Sequence, residues 1–371
     1  MKFSAFCLLF LLCASAKKDT PRIPIISPMK LQQHFMPFIA LAIAALLLGL
    51  WAGLSRIGWV LPSLPTLSIA HGPLMISGFL GVLIPLERAV AIRQRWMFTV
   101  PILAGMGWIS LLFVPFLGSG LLTLPSLGAL MILYVMLRRE PQTHTITMFI
   151  GMCAWFVANI LWMLGLPIFR IVYLWMAFLV LTIAGERLEL SRVLNPAPGQ
   201  IRLFGLVVAA LSAGATLSVV DLNWGTRLNG LSILALSLWF LKNDLATRNI
   251  RHANPLTRYI AICLFSGFIW LGVGGAFQLC FGALYAGPWY DAALHAVFVG
   301  FVISMIFGHA PIIFPAILGL PVTYRKTFYV HLVMLHLSLI IRLLGDLMTQ
   351  LEIRRWGGIL NALAILLFLG M

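Results

Sequence analysis

The chain has 371 residues, 61% of them hydrophobic and only 9% charged, with a mean hydropathy of +1.03. Soluble domains carry roughly 25% charged residues, and no water-soluble fold of this size can hide so much apolar surface; a lipid bilayer removes the conflict. The formal charge of +15 is scattered in short loops between apolar runs rather than gathered in a phosphate-tracking stripe, which argues for a bilayer partner and against a nucleic acid.

Met1 to Ala16 has the form of a short secretory signal, with Lys2, an apolar stretch and Ala14-Ser-Ala16 as a cleavage site. Met29-Lys30 directly precedes the first apolar run and makes a sensible alternative start. Residues 1–28 are therefore set apart as an extension or mis-assigned start, and 29–371 as one transmembrane helical domain.

A membrane-crossing helix needs about 20 mostly apolar residues. Twelve runs qualify as expected spans: Phe35–Ser55, Leu67–Ile92, Phe98–Leu117, Leu121–Leu137, Thr145–Leu166, Ile171–Leu190, Ile201–Val220, Leu228–Leu241, Tyr259–Phe281, Ala292–Leu318, Thr327–Met348 and Trp356–Met371. The eighth and twelfth are short. Connections are short and rich in Pro, Gly and Asn, as in Asn195-Pro-Ala-Pro-Gly199. The predicted fold class is all-α, a polytopic bundle of about 12 spans. Loops after even-numbered spans hold fourteen Lys and Arg residues and loops after odd-numbered spans hold five. The positive-inside rule then places the even loops, and both termini, in the cytoplasm. The expected location is the bacterial cytoplasmic (inner) membrane. A cleaved signal at Ala16 would instead leave the new N-terminus outside.

Cys7, Cys13, Cys153, Cys263 and Cys280 form no CxxC pair, and the last three lie in apolar runs where a thiol behaves as a small apolar residue. The sixteen Met and twelve Trp residues form no ordered box, so a Met-rich copper site is not supported.

Eight histidines remain. His34, His144 and His252 fall near span ends and read as solvated. His71, His295, His309, His331 and His336 fall inside expected spans, where ionisable side chains are costly and mark function by default. The second and tenth spans run in the same direction, and His71 and His295 each lie about a turn in, at matched depth near the outer face. Two neutral imidazoles facing each other across a bundle can hold a haem iron from both sides, and the watery edge suits the haem propionates. The competing reading is a buried neutral histidine bonded to a neighbouring carbonyl or hydroxyl. His309 follows His295 by fourteen residues, close to four turns and roughly 21 Å further along the axis. His331 reaches the depth of His309, and His336 lies roughly 7 Å nearer the middle. His331 and His336, five apart, do not share a face, so at most one joins His309 in a second haem or metal site, copper included. Pro311 and Pro315 disturb the helix just beyond.

Asp291, one turn before His295, is placed to orient that imidazole as an acceptor. Arg342 is placed either to pair with Asp346 at i,i+4 or to hold a propionate. At the inner ends of the second and sixth spans, Glu87-Arg88 and Glu186-Arg187, with Glu189 a turn on, come to one depth. They read as interfacial ion pairs with snorkelling arginines, or as a proton entry path or carboxylate ligand beside His309.

Ala70-His-Gly-Pro-Leu-Met-Ile-Ser-Gly-Phe79 resembles the second helix of the haem–copper oxidase catalytic subunit, where an Ala-His followed by Met-Ile carries a haem ligand. It is also similar to the His-x-x-x-Met-x-x-Gly-Phe run of the NnrS family. Leu294-His-Ala-Val-Phe-Val-Gly300, with Met305 beyond it, resembles that family's His-Ala-x-x-x-Gly-x-x-x-x-Met helix. The stretch from Met29 to Met371, with its His-Gly…Glu-Arg and Gly-His-Ala-Pro segments, also resembles uncharacterised bacterial membrane proteins. NnrS proteins are twelve-helix membrane proteins with haem and copper, associated with the response to nitric oxide. The resemblance implies haem ligation by His71 and His295, and by those two alone. The chain departs from NnrS where Pro73 and Leu74 replace a second His and a Glu. It departs from the oxidases in having no His in the sixth and seventh spans, which removes the copper ligands. The expected function is haem b binding in nitric oxide response or membrane electron transfer, with a quinol or redox protein as partner. The rivals are a cofactor-free secondary transporter relaying protons through intramembrane His and Glu, and a membrane assembly factor.

Overall fold

Long apolar runs without internal hydrogen-bond partners other than their own backbone fold as helices, and the computed structural model is 85% helix, with no strand among the described residues. It describes residues 33–62, 66–319 and 323–371; the expected N-terminal extension, with Cys7 and Cys13, lies outside them.

The long helices follow the chain as α1 (Met36–Arg56), α2 (His71–Ile92), α3 (Thr99–Phe113), α4 (Pro115–Arg139), α5 (Thr143–Met163), α6 (Ile168–Ser191), α7 (Pro198–Val220) and α8 (Leu222–Asn243). After the short turn of helix Leu245–Asn249 come α9 (Pro255–Phe281), α10 (the continuous segments Pro288–His295, Ala296–Ile303 and Ser304–Leu318), α11 (Phe328–Leu347) and α12 (Leu351–Leu369). Ten of these are long and apolar enough to cross a membrane. The other two are α8 and α12. They are 22 and 19 residues long, but their first two turns carry Asn223, Arg227, Glu352, Arg354 and Arg355. That polarity also explains why both begin several residues before the expected Leu228 and Trp356.

Each helix packs on the next in sequence, and α1 returns against α12. Three helices are the most enclosed: α2, α6 and α10, with 61%, 78% and 67% of the apolar stretch buried, against 33–56% for the other seven. The inner helices thus recur every fourth position. Two of them, α2 and α10, carry the matched histidines, and each widens into a π-helical stretch just beyond its histidine, Leu74–Leu80 and Ala296–Ile303. Such widened turns concentrate at functional sites.

Buried charges are paired. Arg187 of α6, fully buried, donates from Nε and Nη2 to Asp244 at 2.9 and 2.6 Å. Asp244 also caps the short helix after it by accepting from the Ala246 amide at 2.7 Å. Arg88 of α2 bonds to Glu186 of α6 and lies 4.0 Å from Glu87 of its own helix, so the two Glu-Arg ends meet at one depth. His144, expected to be solvated, is 4% exposed. It starts α5 at the packed face with α6, and its Nε2 lies 3.9 Å from Glu140.

Removing one partner of a buried ion pair leaves an uncompensated charge and costs about 3–5 kcal/mol. Asp244→Leu is therefore expected to lower unfolding stability in detergent by about that amount, and the double change Arg187→Met with Asp244→Leu is expected to recover most of it. Equal loss in the single and double variants would contradict a pairing role.

Candidate functional site

The ends of α1 and α11 and the beginnings of α2, α6, α10 and α12 enclose a cavity of about 590 Å³, a size typical of cofactor clefts (roughly 300–1,000 Å³). Its body is apolar, with Phe79, Trp175, Phe298 and Ile365 among the walls, and its polar side chains include His71, His295, Tyr285, Tyr290, Asn361, Asp291 and three arginines.

The two histidines face the same space. Their ring centres are 6.2 Å apart and their planes differ by 15°. His71 Nδ1 is 2.7 Å from the Gly49 carbonyl of α1. His295 Nδ1 is 2.9 Å from the Asp291 carbonyl and 3.3 Å from its Oδ1. A carbonyl only accepts, so each Nδ1 carries the hydrogen and each Nε2 keeps its lone pair. Two imidazoles that share one metal, each nitrogen about 2 Å from it, hold their ring centres roughly 6 Å apart. The spacing of the His71 and His295 ring centres matches that value.

Small residues on α1 make this placement possible. A Cβ at Gly53 would come 2.8 Å from His71 Cε1 and 3.0 Å from Nδ1, and one at Gly49 would meet Met75 Sδ at 2.6 Å. The His71 ring thus approaches the bare backbone of α1 at Gly53, one turn from the carbonyl that fixes its tautomer.

Asp291 is the hub of the opposite wall. Arg342 of α11 donates to it twice, Nε at 2.7 Å and Nη2 at 2.9 Å, and Arg354 of α12 adds Nη2 at 3.2 Å. The expected Arg342–Asp346 pair does not form. Asp346 instead meets Arg354 Nε at 2.9 Å, because α11 and α12 cross closely enough for Gly345 to abut the Arg354 backbone and Gly357 the Arg342 backbone. Arg342 is spent on Asp291 but still lines the cavity.

The three histidines expected in a second centre each have hydrogen-bond partners of their own. His331 Nε2 is 2.8 Å from the Tyr259 hydroxyl and its Nδ1 is 3.4 Å from Met371 Sδ. His336 accepts from Trp270 Nε1 at 3.0 Å and bonds Ser266 Oγ at 2.9 Å. Both turn toward α9 rather than toward His309, whose Nδ1 bonds the Met305 carbonyl at 2.6 Å. Among the described residues no group of three or more His, Cys, Asp or Glu can hold a metal ion. Glu87, Arg88, Glu186 and Arg187 lie at the other end of the bundle from the cavity, in the ion pairs Arg88–Glu87, Arg88–Glu186 and Arg187–Asp244.

Sequence reasoning missed Gly49, Gly53, Arg56, Arg354 and Asp244. A glycine in an apolar span and a charge at a span edge are both ordinary, so neither carried a signal. The chain belongs to a family described as a domain of unknown function, DUF8744, whose model matches residues 35–371. No curated protein and no solved structure matches it.

The substitution Gly53→Ala is expected to push the His71 ring off α1. Loss of a group that positions a metal ligand typically costs about 10–100-fold in affinity, and a drop of that size is expected in a haemin titration followed by the Soret shift. Gly205→Ala, where the added methyl meets open space, is expected to leave binding unchanged. Unaltered affinity in Gly53→Ala would contradict a role for Gly53 in positioning His71.

Proposed function

We propose that the protein is a haem b-binding protein of the bacterial cytoplasmic membrane, of NnrS-like and oxidase-related type, serving membrane electron transfer or nitric oxide handling. In this reading all twelve long helices cross the bilayer, both termini face the cytoplasm, and the cavity opens toward the outer side. The observation that carries it is the separation of the His71 and His295 ring centres, 6.2 Å with near-parallel planes, in a largely apolar cavity with both Nε2 atoms left for a ligand.

A bound haem would supply a one-electron couple whose potential is set by its axial ligands and its burial. The chain's own residues do the rest. Gly49 and Asp291 hold the two imidazoles in one tautomer through their carbonyls. The Asp291 carboxylate, 3.3 Å from His295 Nδ1, strengthens that imidazole as a donor. The walls around Phe79, Trp175 and Phe298 exclude water. His71 and His295 would both serve as ligands of a haem held here, and a centre with two protein ligands suits electron transfer better than direct gas binding. The fitting partner is a quinol or a small redox protein reaching the outer end of the bundle.

The test is a dithionite-reduced minus oxidised visible spectrum of the detergent-purified protein. Sharp b-type bands are expected in the wild type and are expected to vanish in both His71→Ala and His295→Ala. A folded, monodisperse and colourless protein that also takes up no added haem would overturn the reading and bring the cofactor-free transporter forward.

A further inference from the structure

The rim of the cavity is charged out of balance. Arg56 from α1, Arg342 from α11 and Arg354 from α12 line it, with Asp291 as the lining carboxylate. Asp346, behind Arg354, supplies a second. Three positive charges face two negative ones. Arg342 and Arg354 divide the two carboxylates between them. Arg56 has no carboxylate partner among the described residues. Its one hydrogen bond is a long contact, Nη1 to the Ser68 carbonyl at 3.5 Å. It stands at the last residue of α1, one turn beyond the Gly53 on which His71 rests, and within electrostatic reach of both His71 and Tyr290.

A guanidinium at the mouth of an apolar cavity, without a counter-charge, recognises an anion, and carboxylates are the group its fork fits in two parallel bonds. An interior that is apolar and a rim that is cationic select an amphipathic ligand with an acid at one edge. We infer that Arg56 is the carboxylate-binding residue of this cavity, pairing with an acidic substituent of the ligand held between His71 and His295. The inference rests on the haem reading and adds to it the residue that selects the free acid, orients the ring's polar edge outward and leaves Arg342 to its structural bond with Asp291. The competing role for Arg56 is a contact with lipid headgroup phosphates, which would be indifferent to the ligand.

The test separates these. The purified wild-type protein is titrated with haemin and with haemin dimethyl ester, which keeps the ring and iron but lacks the acids, and His-dependent Soret shifts are read for both. The wild type is expected to favour the acid over the ester by roughly tenfold or more, as for a charge-assisted bond lost. In Arg56→Gln that preference is expected to collapse toward unity, with ester affinity unchanged, and in Arg56→Lys most of it is expected to return. Arg56 is exposed, so neither change disturbs packing. Equal preference in wild type and Arg56→Gln, with both porphyrins still bound by the histidines, overturns the assignment of Arg56 while the haem reading stands. No histidine-dependent shift with either porphyrin overturns both.

Discussion

A carboxylate enclosed among apolar helices has to be compensated, because an ion removed from water loses several kcal/mol of solvation unless hydrogen bonds and opposite charge replace it. Asp291 is compensated by Arg342 and Arg354, and much else is arranged around that requirement. The two arginines come from α11 and α12, so the last hairpin of the chain is fixed against α10. The close crossing at Gly345 and Gly357 lets both guanidinium groups reach one carboxylate. The same residue, through its carbonyl and its Oδ1, sets the tautomer of His295. One buried charge therefore ties the closure of the bundle to the chemistry of its cavity.

The other wall is built by removal of side chains rather than by charge. His71 can approach α1 only because Gly53 offers bare backbone, and Gly49 makes the same room for Met75. The π-helical stretches after both histidines change the facing of the residues that follow. They leave Gly78 of α2 close against Ala45 and Trp108, and Gly300 of α10 close against Trp270. At the far end, Arg88–Glu186 and Arg187–Asp244 bind α2, α6 and the α8 terminus. Thus α2 and α6 are tied together at the far end, while α10 is tied to α11 and α12 at the cavity end.

Much of the fold is legible in the sequence, because apolar runs of helix-spanning length report themselves through hydropathy alone. The eighth and twelfth runs were read too short for a physical reason: their first turns are polar, and polarity in a helix that packs against neighbours or faces a headgroup region is invisible to an apolar count. The pairing of His71 with His295 was legible from depth, since depth is a count of residues from the span edge. The helix bounds differ from the expected ones, α2 starting at His71 itself and α10 at Pro288, and the shifts still leave the two rings opposed. Rotation about the helix axis is what a depth count lacks. That is why depth alone brings one of His331 and His336 to His309, whereas in the structure the two bond to Tyr259, Ser266 and Trp270 of α9. It is also why Asp346 found Arg354, from the next helix, in place of Arg342 four residues away.

The central claim is that one metal centre is held by His71 and His295 from opposite sides, and electron paramagnetic resonance of the oxidised, haem-loaded protein tests it most directly. The account predicts a low-spin ferric signal with two nitrogen axial ligands in the wild type, converted to a high-spin signal when either histidine alone is replaced by alanine. A high-spin signal in the wild type, or a low-spin signal that survives both single replacements, would contradict it.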